Sequence, residues 1–313
     1  MYELEKLELL KDIFGKPYKA GEEHLFFCKK CHHPKRKFSI NVEKNVWKCW
    51  ICDYRGNNLN RLVKRYGTFL QRQEWSKYAD TVDMSSSLED LFKTLEEEDV
   101  KEEVLKLPKE FISLANKNLP LSSIEPRKYL QSRGITKQDI LKWKIGYCSK
   151  GEYKDRIIIP SFNEEGRVNY FIARSYGKAW PPYKNPNVSK DIVFNQLYVD
   201  FKNDLILVEG VFDAINADNA VPILGSSLRE ESKLFQEIAR WDTTVYVALD
   251  PDAEKKSFDL IKKLMLYGIE VYKIDVSGYK DVGEMSKEQF SKRKREATLM
   301  TNDEYLTAAF LAF

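Results

Sequence analysis

No stretch of this 313-residue sequence stays apolar for the ~20 residues that a membrane helix needs, which excludes a helical membrane span. The opening residues, Met1-Tyr2-Glu3-Leu4-Glu5-Lys6, lack the basic-then-apolar order of a signal peptide, so a cytoplasmic protein is expected. No G-x-x-x-x-G-K-[ST] loop occurs, which argues against a fused nucleotide-driven motor. Cysteine is scarce: there are five, an odd number, and four of them stand in two close pairs. That pattern favours a metal site in a reducing compartment over a disulfide framework. A large net charge is also missing, the balance being +3.

The distribution of that charge is uneven. Cys28 to Arg65 holds eleven Lys/Arg against two acids, and Asp80 to Glu103 holds ten Asp/Glu against two lysines. A basic module followed by an acidic segment points to nucleic-acid contact at the N-terminal end. With 43% hydrophobic residues the chain can build real cores, and its length suits two or three domains.

Residues Tyr2 to Phe14 have the apolar spacing of a short helix, ended by Gly15 and Pro17. Cys28-Lys29-Lys30-Cys31 and Cys49-Trp50-Ile51-Cys52 follow, seventeen residues apart. Two C-x-x-C knuckles at this spacing suit one tetrahedral Zn²⁺ held by Cys28, Cys31, Cys49 and Cys52. Spacing favours Cys31 as the second ligand, with His32 as its alternative, while His33 reads as a surface residue or a phosphate contact. Lys37 to Val42 and Val46 to Lys48 read as strands joined at Lys44-Asn45, a ribbon whose metal supplies folding free energy. Lysines and arginines, Arg55 among them, are interleaved here with Phe38, Trp47, Trp50 and Tyr54. Cations following phosphates and rings stacking on bases suit single-stranded nucleic acid. Trp50 is the stacking candidate; Phe38 and Trp47 read as ribbon core.

Asn58 to Val63 begins a helix, and the polar segment 71–103 reads as an acidic linker, with helical spacing at Leu88, Leu91, Phe92 and Leu95. A second globular region starts near Leu107-Pro108. Two short helices are expected there, one stopped by Gly134 and one capped by Thr136, then strands at Arg156 to Pro160 and Val168 to Arg174. Cys148 reads as a small buried residue.

Three apolar strands then run into acids. Leu205 to Val208 precedes Glu209 and Asp213, Val245 to Leu249 precedes Asp250-Pro251-Asp252, and Glu270 to Ile274 leads to Lys280-Asp281. In a parallel α/β sheet those strand ends share one side, where ligands bind. Converging carboxylates need a cation, and oxygen ligands suit Mg²⁺ or Mn²⁺. Arg156, Arg174, Lys178 and Lys184 are candidates for triphosphate or template phosphates, against a reading as solvated surface. Gly225-Ser226-Ser227 reads either as a phosphate cradle or as a helix cap.

Several of these motifs, in this order, resemble the DnaG-type DNA primases, enzymes with a zinc ribbon and a Toprim catalytic core. Lys37-Phe38-Ser39-Ile40 and Cys49-x-x-Cys52-x-x-x-Gly56 match the ribbon. Tyr129-Leu130-x-x-Arg133-Gly134-Ile135, Lys144 to Tyr147, Arg156 to Pro160, Gly166-Arg167-Val168 and Phe171-x-x-Arg174 match the start of the core. Tyr183 to Pro186 and Phe194 to Tyr198 match the link into Toprim, and Glu209, Asp213 and Asp250-x-Asp252 match the Toprim signature itself. Val282-Gly283-Glu284 departs from it, standing where a proline and a second aspartate are frequent. The resemblance implies an α/β fold: a zinc-ribbon β domain over 1–78, an acidic linker over 79–106, an α+β subdomain over 107–200, a parallel Toprim sheet over 201–285 and a helical tail over 286–313. It implies RNA primer synthesis on single-stranded DNA from ribonucleoside triphosphates, by nucleotidyl transfer during replication. Glu209, Asp250 and Asp252 are then catalytic. Glu209, Asp213, Asp250, Asp252 and Asp281 are then ligands of Mg²⁺ or Mn²⁺, with one structural Zn²⁺ in the ribbon. Arg156, Arg174, Lys184, Trp50 and Arg55 contact nucleotide or template. The short segment after Toprim suggests a stand-alone primase of bacteriophage type, working in a host cytoplasm with a separately encoded replicative helicase. The rivals are a Toprim nuclease, a topoisomerase-related enzyme, and a non-catalytic zinc-ribbon protein that binds single-stranded DNA.

Overall fold

A computed structural model describes residues 2–78, 105–225, 228–230 and 232–312. The acidic linker, its helical spacing at Leu88 to Leu95 and the pair Ser226-Ser227 lie outside the described residues. The chain divides into two compact units.

The first unit is built on one antiparallel sheet of five strands in sequential order: β1 (Tyr18–Ala20), β2 (Glu23–Phe26), β3 (Phe38–Asn41), β4 (Val46–Cys49) and β5 (Arg55–Gly56). The expected ribbon hairpin is its centre, pairing Phe38 with Cys49 and Asn41 with Val46. Its tight turn is fixed by Asn45 in the left-handed region, φ 55°, and by the Lys44 N–H donating to Asn41 Oδ1 at 2.8 Å. The outer pair β1–β2 was not legible from alternation, because its strands are only three and four residues long. It covers β3, whose four residues are all buried. The polar ones are satisfied across the sheet by Glu23, which accepts from Ser39 Oγ and from Asn41 Nδ2. Gly56 is required by packing, since a Cβ there would stand 2.2 Å from the Trp47 ring. The helices Glu3–Phe14, Leu59–Tyr66 and Phe69–Ser76 bring Leu10, Phe14, Leu59, Leu62 and Trp75 onto Phe26, Phe38 and Ile40. The last of these helices starts in a capping box, in which Thr68 and Gln71 bond each other's backbone.

The second unit has two sheets. The antiparallel one runs β6 (Ile112–Ser113), β7 (Gly146–Cys148), β8 (Arg156–Phe162) and β9 (Val168–Ser175). Both expected helices are present, Ile124–Ser132 and Lys137–Lys142. Gly134 at φ +71° separates them, and Thr136 caps the second in a box with Asp139. Cys148 is fully buried, and burial pushes its thiol up to about 12, as suits a packing residue.

The other sheet has the order β11 (Ala220–Pro222), β10 (Leu205–Val208), β12 (Val245–Ala248), β13 (Val271–Lys273), β14 (Thr298–Leu299). The first four strands are parallel; β14 joins antiparallel, pairing Leu299 with Tyr272. All four residues of β10 are buried, which explains its unbroken apolar run. From β10 the chain crosses to β11 on one side and then to β12 on the other, so β10 and β12 meet at a topological switch point. The helices Val211–Asn216, Lys233–Trp241, Glu254–Leu266, Lys287–Arg295 and Asn302–Ala312 complete the unit. One core joins the two sheets, with Leu130, Tyr147, Ile157 and Ile172 in the same cluster as Ile206, Val208 and Phe212.

The C-terminal segment is more than a helical tail, since β14 makes it part of the sheet. Its basic run, Lys292-Arg293-Lys294-Arg295, is tied down in part. Arg293 pairs with Asp275 at 2.6 Å, and Lys294 pairs with Asp204 at 3.1 Å while lying over the Tyr246 ring. The final helix packs Tyr305 on Phe258, with ring centroids 5.7 Å apart.

Candidate metal centres

In the first unit the four knuckle thiols converge. Cys28 and Cys52 have sulfurs 3.9 Å apart, Cys31 and Cys49 3.8 Å apart, and all four sulfurs lie within 4.8 Å of one another. A tetrahedron of thiolates about 2.3 Å from Zn²⁺ has edges of about 3.8 Å, so this set fits the ion. Cys31 is the member from the first knuckle. His32 sits in the left-handed turn at φ 53°, its N–H donating to the Cys28 carbonyl, and His33 Nδ1 accepts from the Lys35 N–H. Burial raises the Cys28 and Cys49 thiols, a cost that an ion offsets by binding the thiolates.

Around the knuckles, Lys30 lies over the Tyr54 ring and Lys48 over the Trp50 ring, at 5.1 and 5.0 Å. Trp50 itself is only 9% exposed. Arg55 is open to solvent, 3.8 Å from Asp53.

In the second unit, Glu209 follows β10, while Asp250 and Asp252 follow β12, on adjacent parallel strands. Pro251 opens a short 3-10 turn over Pro251–Ala253, and that bend brings both aspartates to one side. Each of Glu209, Asp250 and Asp252 offers an oxygen within 4.8 Å of the other two. The trio borders a cavity of about 580 Å³, lined also by Ile223, Leu228 and residues of the helix Glu254–Leu266. Burial, then the charges of Asp213, Glu209, Asp281 and Asp252, push the Asp250 carboxyl up to about 7. Asp250 Oδ1 and Asp281 Oδ1 are buried with no hydrogen-bond partner. A carboxylate trio with one buried, unpartnered oxygen of its own, on Asp250, and a second from Asp281 is a donor set that suits a divalent cation.

Asp213, expected among the metal ligands, is held by backbone N–H groups. It lies in the helix Val211–Asn216, where Oδ2 accepts from the Gly210 N–H and Oδ1 from the Gly283 N–H, each at 2.9 Å. Burial and the Asp281 charge push its carboxyl up to about 6, against the two N–H donors and the Arg133 charge. One turn on, Asn216 Nδ2 donates to the Gly283 and Met285 carbonyls at 3.1 and 3.2 Å. Together Asp213 and Asn216 clamp the loop that delivers Asp281. Glu284 accepts from the Lys280 N–H at 3.0 Å and so closes that loop on itself.

The basic candidates separate into three kinds. Arg156 is 3% exposed, and its guanidinium donates to the carbonyls of Pro181 at 2.7 Å and Pro182 at 3.2 Å, holding the segment before Tyr183. Arg174 is half-buried, donating to Tyr129 Oη at 3.2 Å and lying over the Tyr183 ring at 4.7 Å. Lys184 is paired with Glu152 at 3.2 Å, and Lys178 is exposed. Sequence reasoning named Arg133 only within a matching motif and gave it no site role; it lies over Phe212 and Tyr129 at 5.2 and 5.8 Å and reaches Asp213 with its charge. Nor did it find Lys256, whose Nζ stands 2.9 Å from Glu209 Oε1. Lys256 stands among other charges on its helix, so no local pattern marks it.

No family model matches the chain. Among curated proteins it is similar to DNA primases. That of Clostridium acetobutylicum is 23% identical over 90% of this chain and 56% of the relative, and that of Halalkalibacterium halodurans 25% identical over 83% and 55%. The chain thus spans about half the length of the curated relatives it matches. Among solved structures, the zinc-binding and RNA polymerase domains of the Aquifex aeolicus primase align at 20% identity over 94% of this chain and 83% of that one, with a TM-score of 0.47. A DnaG primase catalytic domain bound to single-stranded DNA aligns at 18% identity over 61% of this chain and 76% of that one, with a TM-score of 0.49.

Proposed function

We propose that this chain is a DNA primase that makes short RNA primers on single-stranded DNA from ribonucleoside triphosphates. The observation that carries the proposal is the Glu209, Asp250 and Asp252 trio, flanked by the unpartnered Asp281 oxygen, at the switch point of a parallel sheet. Primer synthesis needs a hydroxyl to attack an α-phosphate while pyrophosphate leaves. A divalent cation, Mg²⁺ or Mn²⁺, lowers the hydroxyl's pKa and neutralises charge on the phosphate oxygens. Glu209, Asp250, Asp252 and Asp281 hold it. Asp213 acts behind them, fixing the Asp281 loop.

Arg133 and Arg174, both resting on Tyr129, offer positive charge to triphosphate or template phosphates, and the Arg133 charge reaches Asp213. Arg156 holds the neighbouring segment in place. In the ribbon, the zinc set orders a small basic surface, Arg55 included, for the template strand. We place the protein in the cytoplasm, with a replicative helicase as its partner.

The test supplies purified chain with single-stranded DNA, ribonucleotides and Mg²⁺ and sizes the products. Short RNA oligomers are expected. Template cleavage without synthesis overturns the proposal in favour of a nuclease.

A further inference from the structure

The trio already has a cation. Lys256, on the first turn of the helix Glu254–Leu266, places Nζ 2.9 Å from Glu209 Oε1, and both side chains are 27% exposed. It is part of the same cavity wall as Asp250 and Asp252. The pairing leaves the charges unevenly covered: Glu209 has an ammonium, while Asp250 keeps a buried, unpartnered oxygen. An ammonium is a point charge on a flexible four-carbon stem and can swing away without disturbing the backbone. A divalent ion reaching the trio competes with it for Glu209, because two cations sharing one carboxylate repel.

We propose that Lys256 is an exchangeable counter-cation. It neutralises Glu209 until a divalent ion takes that place, and then turns its charge toward the triphosphate in the cavity. This inference rests on the reading of the acidic trio as the metal site. The cavity has room for the second position, at about 580 Å³; its wall also carries Lys255, Asp259 and Lys263, whose Nζ donates to the Leu228 carbonyl at 3.0 Å. The exchange holds the acids together when no metal is bound, and it couples metal entry to the appearance of a free cation beside the substrate phosphates. Lys256 is thus a positioning residue for both ligands.

The test uses the full chain with its zinc retained, in buffer freed of other divalent ions. Mn²⁺ binding is titrated by electron paramagnetic resonance on the wild type, Lys256→Met and Lys256→Arg. A non-hydrolysable ribonucleoside triphosphate is then titrated at saturating Mn²⁺. Removing a half-exposed ion pair is expected to tighten Mn²⁺ binding about two- to fivefold in Lys256→Met and to weaken triphosphate binding by a similar factor, with Lys256→Arg close to wild type in both. Unchanged or weaker Mn²⁺ binding in Lys256→Met overturns the competition, and unchanged triphosphate binding overturns the transfer to substrate. Failure of the underlying metal reading looks different: the wild type then shows no saturable Mn²⁺ binding that Asp250→Asn with Asp252→Asn removes. Thermal melting in the same buffer separates these outcomes from misfolding. Without Mn²⁺ the Met variant melts below wild type, and with Mn²⁺ the gap closes.

Discussion

Four thiols and three carboxylates each converge within 4.8 Å, yet the two clusters are built differently. The thiols come from two knuckles beside one short hairpin, and their nearest polar neighbours are each other and their own backbone. The carboxylates come from the ends of two parallel strands, with Asp281 arriving from a third connection that Asp213 and Asn216 hold. The first cluster gathers its thiols locally, and a metal held there would tie a small domain together. The second is assembled by the sheet, and the surrounding fold bears its mutual repulsion. One teaches how metal binding adds stability; the other shows how a fold tolerates instability at the place where chemistry happens.

The sharpest break between them is Asp250→Asn with Asp252→Asn. Primer synthesis is expected to fall by roughly a thousandfold or more, while template binding, measured by fluorescence anisotropy, and zinc content, measured by mass spectrometry, stay at wild-type levels. Retained synthesis sinks the catalytic assignment. The converse break is Cys49→Ser. Zinc falls from one ion per chain toward none, the near-ultraviolet circular dichroism of the ribbon aromatics is lost, and template recognition suffers more than nucleotide binding. Unchanged zinc content counts against the four-thiolate site.

A smaller effect lies in pH. The Asp250 and Asp213 carboxyls are pushed up to about 7 and about 6, above their unfolded values, so the folded chain binds more protons than the unfolded one between pH ~4 and ~7. Stability in buffer without divalent ions should therefore fall as pH rises through that window. Saturating Mg²⁺ should flatten the slope, since a bound cation favours the ionised carboxylates. Denaturant melts at pH 4.5, 6 and 7.5, with and without Mg²⁺, check this; a slope of opposite sign refutes it. The smallest effect is reserved for Gly283→Ala. A Cβ there would stand 3.1 Å from both Asp213 Oδ1 and Asp281 Oδ1, so one carboxylate must shift by a few tenths of an ångström. Mn²⁺ affinity is expected to drop about two- to fivefold with the fold intact, and an unchanged affinity would show that the Asp281 loop does not tune the site.

The same contrast governs what could be read in advance. The ribbon hairpin, its turn at Lys44-Asn45, the capped helix after Thr136 and the strands leading to Glu209 and Asp250 were all legible, because each is set by neighbours within a few residues. The strands β1, β11 and β14 were not, since segments of two or three residues carry too short a pattern to register. Arg156 illustrates the limit for function. Its sequence context suggests a phosphate ligand, and the fold instead directs its guanidinium onto two proline carbonyls.

The sequence by itself determined the candidate groups: two cysteine knuckles of the kind that suits zinc, and acids just past apolar strands of the kind that suits a hard divalent cation. Local spacing and side-chain chemistry suffice for that. Only the tertiary structure decided which acids meet. Strand order sets Glu209 beside Asp250 and Asp252, backbone N–H groups from Gly210 and Gly283 hold Asp213 against the Asp281 loop, and Lys256 arrives from the helix after β12. Distances between residues far apart in the chain are set by packing, and packing decides whether a carboxylate finds a metal, an amide or an ammonium.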